Sequence, residues 1–190
     1  MRKLVILSAF LVFGTFLYAQ TYEVNAEKST VKWVGKKIAS QHNGTVALKE
    51  GNFEIKDNKF VSGTFIIDLS IMTDESSDDP KKPSRLVGHL KSEDFFSVDK
   101  YPVAKLEIIS SEKFVGEKSK VTGKLTIKDK THPINFVVMR KGATFTSSME
   151  FDRTLYDIKY GSGKFFQDIG DKAIKDEVGI DVILIAERQR

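Results

Sequence analysis

The chain has 190 residues, with 30 Lys and Arg, 26 Asp and Glu, three His and no Cys. The absence of Cys excludes disulfides, thiol nucleophiles, Cys-ligated zinc, iron–sulfur clusters and the lipid-modified Cys of a bacterial lipoprotein. A formal net charge of +4 is not the electrostatic footprint of a nucleic-acid-binding protein. We therefore expect no nucleic-acid partner.

Residues 1–19 are predicted to be a signal peptide. Met1-Arg2-Lys3 gives a cationic start, residues 4–17 are almost entirely apolar, and Ala19 places a small residue before Gln20. The apolar part falls short of the ~20 residues that a membrane-spanning helix needs, so a membrane anchor is the less favoured alternative. We expect cleavage after Ala19 and a periplasmic or secreted protein with no membrane span in the mature chain.

The predicted mature chain, residues 20–190, has the size of one domain. It keeps 28 basic and 26 acidic side chains, a net charge of +2, and 11 of the 14 Phe. Its dominant pattern is alternation: Val121, Gly123, Leu125 and Ile127 are separated by polar residues. Such alternation is typical of half-buried antiparallel strands. Long strands are predicted at 59–70, 104–114, 118–128 and 132–140.

Turn signals and irregular segments separate these runs. Hairpin-like turns are predicted at 43–44, 49–52, 56–59, 116–118 and 141–142. Short helices are predicted at 85–90 and 92–96. Residues 73–83 are expected to form a solvated acidic loop, and residues 155–175 a long loop over one end of a sheet.

About eight antiparallel strands in one domain must hide their edges, in a sandwich or in a closed barrel. Long up-and-down strands with short turns favour the barrel. We therefore predict an all-β fold, a single eight-stranded antiparallel barrel with one or two short helices. An interior of this size is just wide enough for side chains or for one small ligand.

Few residues suggest catalysis or metal binding. The three His, at 42, 89 and 132, lack the spacing that grips a metal from one element, so no metal site is predicted. No Ser stands in a Gly-x-Ser-x-Gly elbow. Residues 161–164 (GSGK) fail the phosphate-loop pattern at Ile158 and at Phe165. No catalytic residue is predicted, and Trp33 is interpreted as barrel core.

Three stretches together resemble the YceI-like family of secreted lipid-binding proteins. They are residues 88–102 (GHLKSEDFFSVDKYP), 121–134 (VTGKLTIKDKTHPI) and 151–158 (FDRTLYDI). Their order and spacing fit the family, and the likeness runs from about residue 22 to residue 187. The resemblance implies a lipocalin-like barrel whose elongated lumen holds a polyisoprenoid tail, such as a quinone or a prenyl diphosphate.

The favoured hypothesis is thus non-catalytic binding, carriage or sequestration of a long apolar lipid, with no cofactor other than that bound isoprenoid. Two alternatives remain: an enzyme acting on a small secreted substrate, and a ligand-free stress or structural barrel. A homodimer is left open. His89 and Arg153 are candidates for the head-group end, and the equal alternative for each is to tie down a loop. The lipid-binding candidates face the predicted lumen: Phe65, Ile67, Leu69, Leu106, Ile108, Leu125, Ile127, Phe136, Phe145, Met149, Phe151, Val182 and Leu184.

Overall fold

The structure, a computed structural model, describes residues 19–38, 40–76, 84–167, 170 and 173–189. The predicted signal peptide, except Ala19, and residues 77–83 of the predicted acidic loop lie outside these residues. Nine strands, one α-helix and one 3-10 helix are found among the described residues. The strands are β1 (Gln20–Val24), β2 (Thr30–Lys36), β3 (Gln41–Lys56), β4 (Lys59–Met72), β5 (Val103–Ser111), β6 (Lys118–Ile127), β7 (Lys130–Lys141), β8 (Thr144–Asp152) and β9 (Glu177–Arg188).

All strands pair antiparallel in a closed ring. From β3 to β9 each strand pairs with the next along the chain, and β2 closes the ring between β3 and β9. β1 also pairs with β3 and β9, beyond the end of β2, so β1 and β2 fill one strand position. The predicted eight-stranded antiparallel barrel is confirmed.

The register follows from the alternation in the sequence. Leu125 of β6 stands opposite Leu106 of β5, and Ile127 of the same face is buried. Because side chains point to alternate faces of a strand, a run with this pattern places its apolar row inside the barrel and its Lys and Thr outside.

Two of the predicted turns are wrong. Residues 43–44 and 49–52 lie inside the 16-residue strand β3, where the glycines allow close approach of other groups. Gly44 lies against the backbone of Thr73, and Gly51 packs beside Phe65, next to a register shift in the β3–β4 pairing. In a strand, Gly often marks a bulge or a close contact rather than a turn. The turns predicted at 56–59, 116–118 and 141–142 are confirmed.

The two ends of the barrel differ. One end, called the closed end, carries the hairpin turns that follow β3 and β7 and is filled by aromatic rings. The Phe53 ring lies 4.9 Å from that of Phe145 and 5.3 Å from that of Phe60. Tyr22 stacks on Phe53, and its hydroxyl accepts a hydrogen bond from Arg140 at 3.0 Å. These rings pack against one another at the closed end, and Phe53, Phe60 and Phe145 also border the cavity inside the barrel.

The opposite end, called the open end, carries helix α1 (Arg85–Lys91) and the long segment after β8. Ser84 caps α1 by accepting a hydrogen bond from the Val87 N–H at 3.2 Å. The helix predicted at 92–96 is a turn, because Ser92 ends α1 as its C-terminal cap. The 3-10 helix (Arg153–Tyr156) overlaps the start of the predicted long loop, whose other described residues are mainly turns and irregular backbone.

Candidate functional site

The barrel encloses an apolar cavity of about 220 Å³. A well-packed protein interior has few voids larger than a water molecule, so this barrel is not filled by its own side chains. All thirteen residues predicted to face the lumen line the cavity: Phe65, Ile67, Leu69, Leu106, Ile108, Leu125, Ile127, Phe136, Phe145, Met149, Phe151, Val182 and Leu184. Whether they bind a lipid stays a prediction.

The exposure of the inward side chains shows where the empty space lies. Val121, near the closed end of β6, is only 2% exposed. Leu125, four residues nearer the open end on the same face, is only partly buried, as are Leu106 and Met149 on neighbouring strands. Since these residues point inward, their remaining exposure is to the cavity. Empty space therefore lies beside these three residues, and the cavity lining extends from them to Phe53 and Phe60 of the closed end.

The α1 segment adds a cover that the sequence analysis did not predict. Leu86 and Leu90 of α1, with Phe95 and Phe96 of the following turn, line the cavity. The i, i+4 spacing of Leu86 and Leu90 puts both on one helix face, and that spacing was the available signal for an inward-facing helix.

Basic residues occur where the cavity lining reaches the surface. Lys37 and Lys175, both exposed, line the cavity together with Lys36 and His42. No Asp or Glu occurs among the described residues that line it. The cavity is thus apolar in its depth and has positive side chains near its mouth.

Arg153 is 2% exposed and lies under the loop at the open end. Its Nε donates to the Lys175 carbonyl at 3.1 Å, and Nη2 donates to the Ile174 carbonyl at 3.1 Å and to Asp176 at 3.4 Å. Its Nη1 donates to the carbonyls of Ile158 and Tyr160, at 2.9 and 2.8 Å.

These five hydrogen bonds use all five N–H donors of the guanidinium group. Burial lowers the pKa of Arg153, and the Asp176 carboxylate acts against that shift. Arg153 therefore holds two parts of the loop together, which is the second of the two roles considered for it. A head-group contact by Arg153 would require it to give up one of these bonds.

His89 does not line the cavity. It lies at the surface of α1, where Nε2 is 3.1 Å from Asp94 Oδ2 and the ring meets Phe95 edge-on at a centroid distance of 4.9 Å. The same ring lies 4.6 Å from that of Tyr160, across the open end. In this arrangement His89 joins α1 to the long loop.

Asp152 and Tyr156 complete the open end. Burial would raise the pKa of the Asp152 carboxyl, but hydrogen bonds from Lys164 and Thr154 outweigh it and hold that pKa below its usual range. Burial raises the pKa of Tyr156 to about 12, so its phenol stays neutral at physiological pH. Neither side chain lines the cavity.

Two further searches covered the described residues only. In this part of the chain, no three His, Asp or Glu side chains gather into a group suited to a metal ion. Neither α1 nor any other helix described here combines the length and the apolar character that crossing a membrane requires.

The family model of the YceI-like domain matches residues 22–186. No curated protein matches the chain. BcnA of Burkholderia cenocepacia, known from a crystal structure, is similar at 25% identity and a TM-score of 0.64, with 86% of this chain and 99% of BcnA covered.

Two more distant structures share the fold. A polyisoprenoid binding domain from Saccharophagus degradans, implicated in plant cell wall breakdown, is 17% identical, with a TM-score of 0.62 and coverage of 88% of this chain and 98% of that domain. The Campylobacter jejuni YCEI protein is 16% identical, with a TM-score of 0.52 and coverage of 100% and 99%.

Proposed function

The chain belongs to the YceI-like family, as its three sequence blocks predicted, and we propose that it binds a polyisoprenoid lipid, such as a quinone or a prenyl diphosphate, in the barrel cavity. The observation that carries this proposal is the unfilled apolar lumen of about 220 Å³, sealed at one end and reaching the surface at the other. A domain of the same fold is described as polyisoprenoid binding, which supports the choice of ligand class.

The energy of binding comes from enclosing the tail. At roughly 0.3 kcal/mol per heavy atom, an isoprene unit of about five carbons contributes ~1.5 kcal/mol. About five enclosed units would then give a complex of roughly micromolar affinity without any polar contact. A polar contact at the mouth orients the ligand and is not required for retention.

We propose carriage or sequestration without catalysis, with no cofactor other than the lipid itself. General acid–base catalysis needs a titratable pair near the reacting atoms. The titratable groups of the described cavity lining are basic residues and His42, with no carboxylate among them. If the protein were an enzyme acting on a small secreted substrate, its catalytic acid–base pair would have to lie outside the described cavity lining.

Periplasmic or secreted placement is also part of this proposal. It rests on the signal-like sequence of residues 1–19. An exported barrel would meet isoprenoid lipids at the outer surface of a membrane.

The test is to identify what the protein carries and what it retains. An organic extract of protein purified without detergent is analysed by mass spectrometry, and delipidated protein is titrated with a polyprenyl quinone. The same quinone head group without a tail is the matched control. We expect a co-purified isoprenoid, retention of the long-chain quinone and no retention of the tail-less one. A protein that neither carries nor retains any isoprenoid would contradict the proposal.

A further inference from the structure

Large apolar side chains are exposed around the open end, on a surface that we call the open-end rim. Its members are Ile38, Tyr160, Phe165 and Phe166, which are 62%, 44%, 50% and 46% exposed. None of the four lines the cavity. Exposed aromatic and aliphatic side chains that gather at one place mark sites of contact with a partner or a membrane.

Direct contacts join the segments that carry the rim. Lys37, next to Ile38, forms a β-bridge with Ile174, whose N–H donates to the Gly161 carbonyl at 2.8 Å. The N–H groups of Phe165 and Phe166 both donate to the Ser162 carbonyl, at 3.1 and 3.0 Å. The rim residues therefore stand on segments that contact one another at the open end.

The same segments form the mouth of the cavity. Lys37, Ile174 and Lys175 line the cavity and also hold the rim segments together, since the Lys175 N–H donates to the Lys36 carbonyl at 2.8 Å. A molecule that enters or leaves the cavity here passes beside the rim.

Positive side chains surround these apolar groups. Lys36, Lys37 and Lys175 lie at the mouth, and the Lys159 ammonium stands 5.2 Å from the centre of the Phe165 ring. Lys164 also belongs to this surface.

Among the described residues, three carboxylates near the rim are paired with Lys side chains. Asp157 pairs with Lys159 at 3.0 Å and with Lys130 at 3.2 Å. Asp152 and Asp176 pair with Lys164 at 2.8 and 3.2 Å, and Asp176 is largely buried beside Arg153. Aromatic rings next to Lys side chains suit the interface of an anionic lipid bilayer, where rings enter the head-group region and ammonium groups meet phosphates.

We propose that the open-end rim docks on the surface of an anionic phospholipid bilayer, with Phe165 and Phe166 entering the interface. Docking would set the cavity mouth against the membrane, so that an apolar ligand could pass between the two without crossing water. The docking itself goes beyond ligand binding; only the passage of ligand rests on the function proposed above.

The test is flotation of the protein with vesicles. The form of the protein used for flotation starts at Gln20, because all nine strands described here lie from that residue onward. The apolar segment before Gln20 is left out because it would itself bind lipid. Vesicles of phosphatidylcholine alone are compared with vesicles of phosphatidylcholine and phosphatidylglycerol. We expect binding to the mixed vesicles, weakened by added salt, and a loss of roughly tenfold or more in the Phe165→Ser/Phe166→Ser variant.

The matched control is Val115→Ser, because Val115 is 82% exposed in the hairpin at the closed end. It should leave vesicle binding unchanged. Retention of the polyprenyl quinone in detergent is measured in parallel and should be equal in all three proteins, so that failure of ligand binding is recognised separately. The proposal is overturned if the wild type does not bind mixed vesicles, if Val115→Ser loses as much binding as the double variant, or if the double variant binds mixed vesicles as well as the wild type.

Discussion

The indole N–H of Trp33 donates to the backbone carbonyl of Thr73 at 3.2 Å, directly beside the backbone of Gly44. Gly44 stands opposite Trp33 in the β2–β3 ladder, and Thr73 follows β4. The Thr73 N–H donates to the Thr45 carbonyl at 2.9 Å. This second hydrogen bond fixes the position of the Thr73 backbone beside Gly44. The contact joins three strands next to the cavity, and it exists because position 44 has no side chain.

Gly44→Ala is therefore expected to be destabilising. An added Cβ would come closer than 3.0 Å to both the Thr73 carbonyl and the Trp33 Nε1 atom. Overpacking of this kind costs roughly 1–3 kcal/mol in the free energy of unfolding. Urea denaturation measures it. Gly179→Ala is the control, since a Cβ there meets Val34 at an ordinary 3.6 Å; equal losses for the two variants would contradict the argument.

The same position shows where sequence reasoning succeeded and where it did not. Alternation fixes which side chains face inward, because the pleat allows only two faces. Leu125 and Val182 were placed correctly on this basis alone. Asn43-Gly44 was interpreted as a turn because that dipeptide favours left-handed backbone. The glycine is needed instead because the backbone of Thr73, in the segment after β4, approaches position 44, and such a tertiary contact is contained in no local pattern.

The open end was also hard to predict, because tertiary contacts again determine the role of its residues. The Arg153 side chain is satisfied by carbonyls of residues 158, 160, 174 and 175. A backbone carbonyl has no sequence signature, so a buried structural Arg and a ligand-binding Arg look alike in a sequence.

Arg153→Lys is expected to loosen the loop while keeping the positive charge. A Lys ammonium cannot reach carbonyls spread around a planar guanidinium, so at least one buried carbonyl loses its donor. We expect a loss of about 2–4 kcal/mol in the free energy of unfolding. Hydrogen exchange should also quicken at Ile158 and Ile174, whose N–H groups donate within this loop.

Arg188→Lys, at an exposed position of β9, is the matched control. It should change neither the urea midpoint nor the exchange of the loop amides. An Arg153→Lys variant as stable as the wild type would mean that the hydrogen bonds of this side chain are dispensable.

The stability of the open end should depend on pH through Asp152. Its Oδ1 accepts from the Thr154 N–H at 2.9 Å, and its Oδ2 accepts from Lys164 Nζ at 2.8 Å. Since these bonds lower the pKa of Asp152 in the folded state below the ordinary 3.8, the carboxylate stabilises the fold above about pH 4 and loses this effect as pH falls through the lowered pKa.

The measurement is the urea midpoint as a function of pH. Asp152→Asn should lower the midpoint at neutral pH and reduce its fall below about pH 4. Glu117→Gln, in the hairpin at the closed end, removes an acidic charge without touching the open end. If both variants follow the pH profile of the wild type, Asp152 does not contribute the expected stability.

The last prediction uses three positions of β6 to distinguish an open lumen from a packed one. Leu125 and Val121 share the inward face, but Leu125 lines the cavity and is half-buried, whereas Val121 is 2% exposed and lies outside the lining. Thr126 faces outward, where its hydroxyl meets that of Thr131 at 2.8 Å.

Leu125→Lys should fold, because the cavity gives the Lys side chain room to bend toward the mouth and keep its ammonium group in water. It should lower the retention of a polyprenyl quinone by about tenfold or more, since the stem occupies the space of the tail. Val121→Lys places the same charge in packed surroundings and should unfold the protein or cost several kcal/mol. Thr126→Lys loses one exposed hydroxyl pair, worth at most about 1 kcal/mol, and should keep quinone retention. Urea midpoints and quinone retention are measured for all three variants. If Leu125→Lys unfolds as Val121→Lys does, the lumen behaves as a packed core. If Leu125→Lys folds and retains the quinone fully, the lipid tail does not lie beside Leu125.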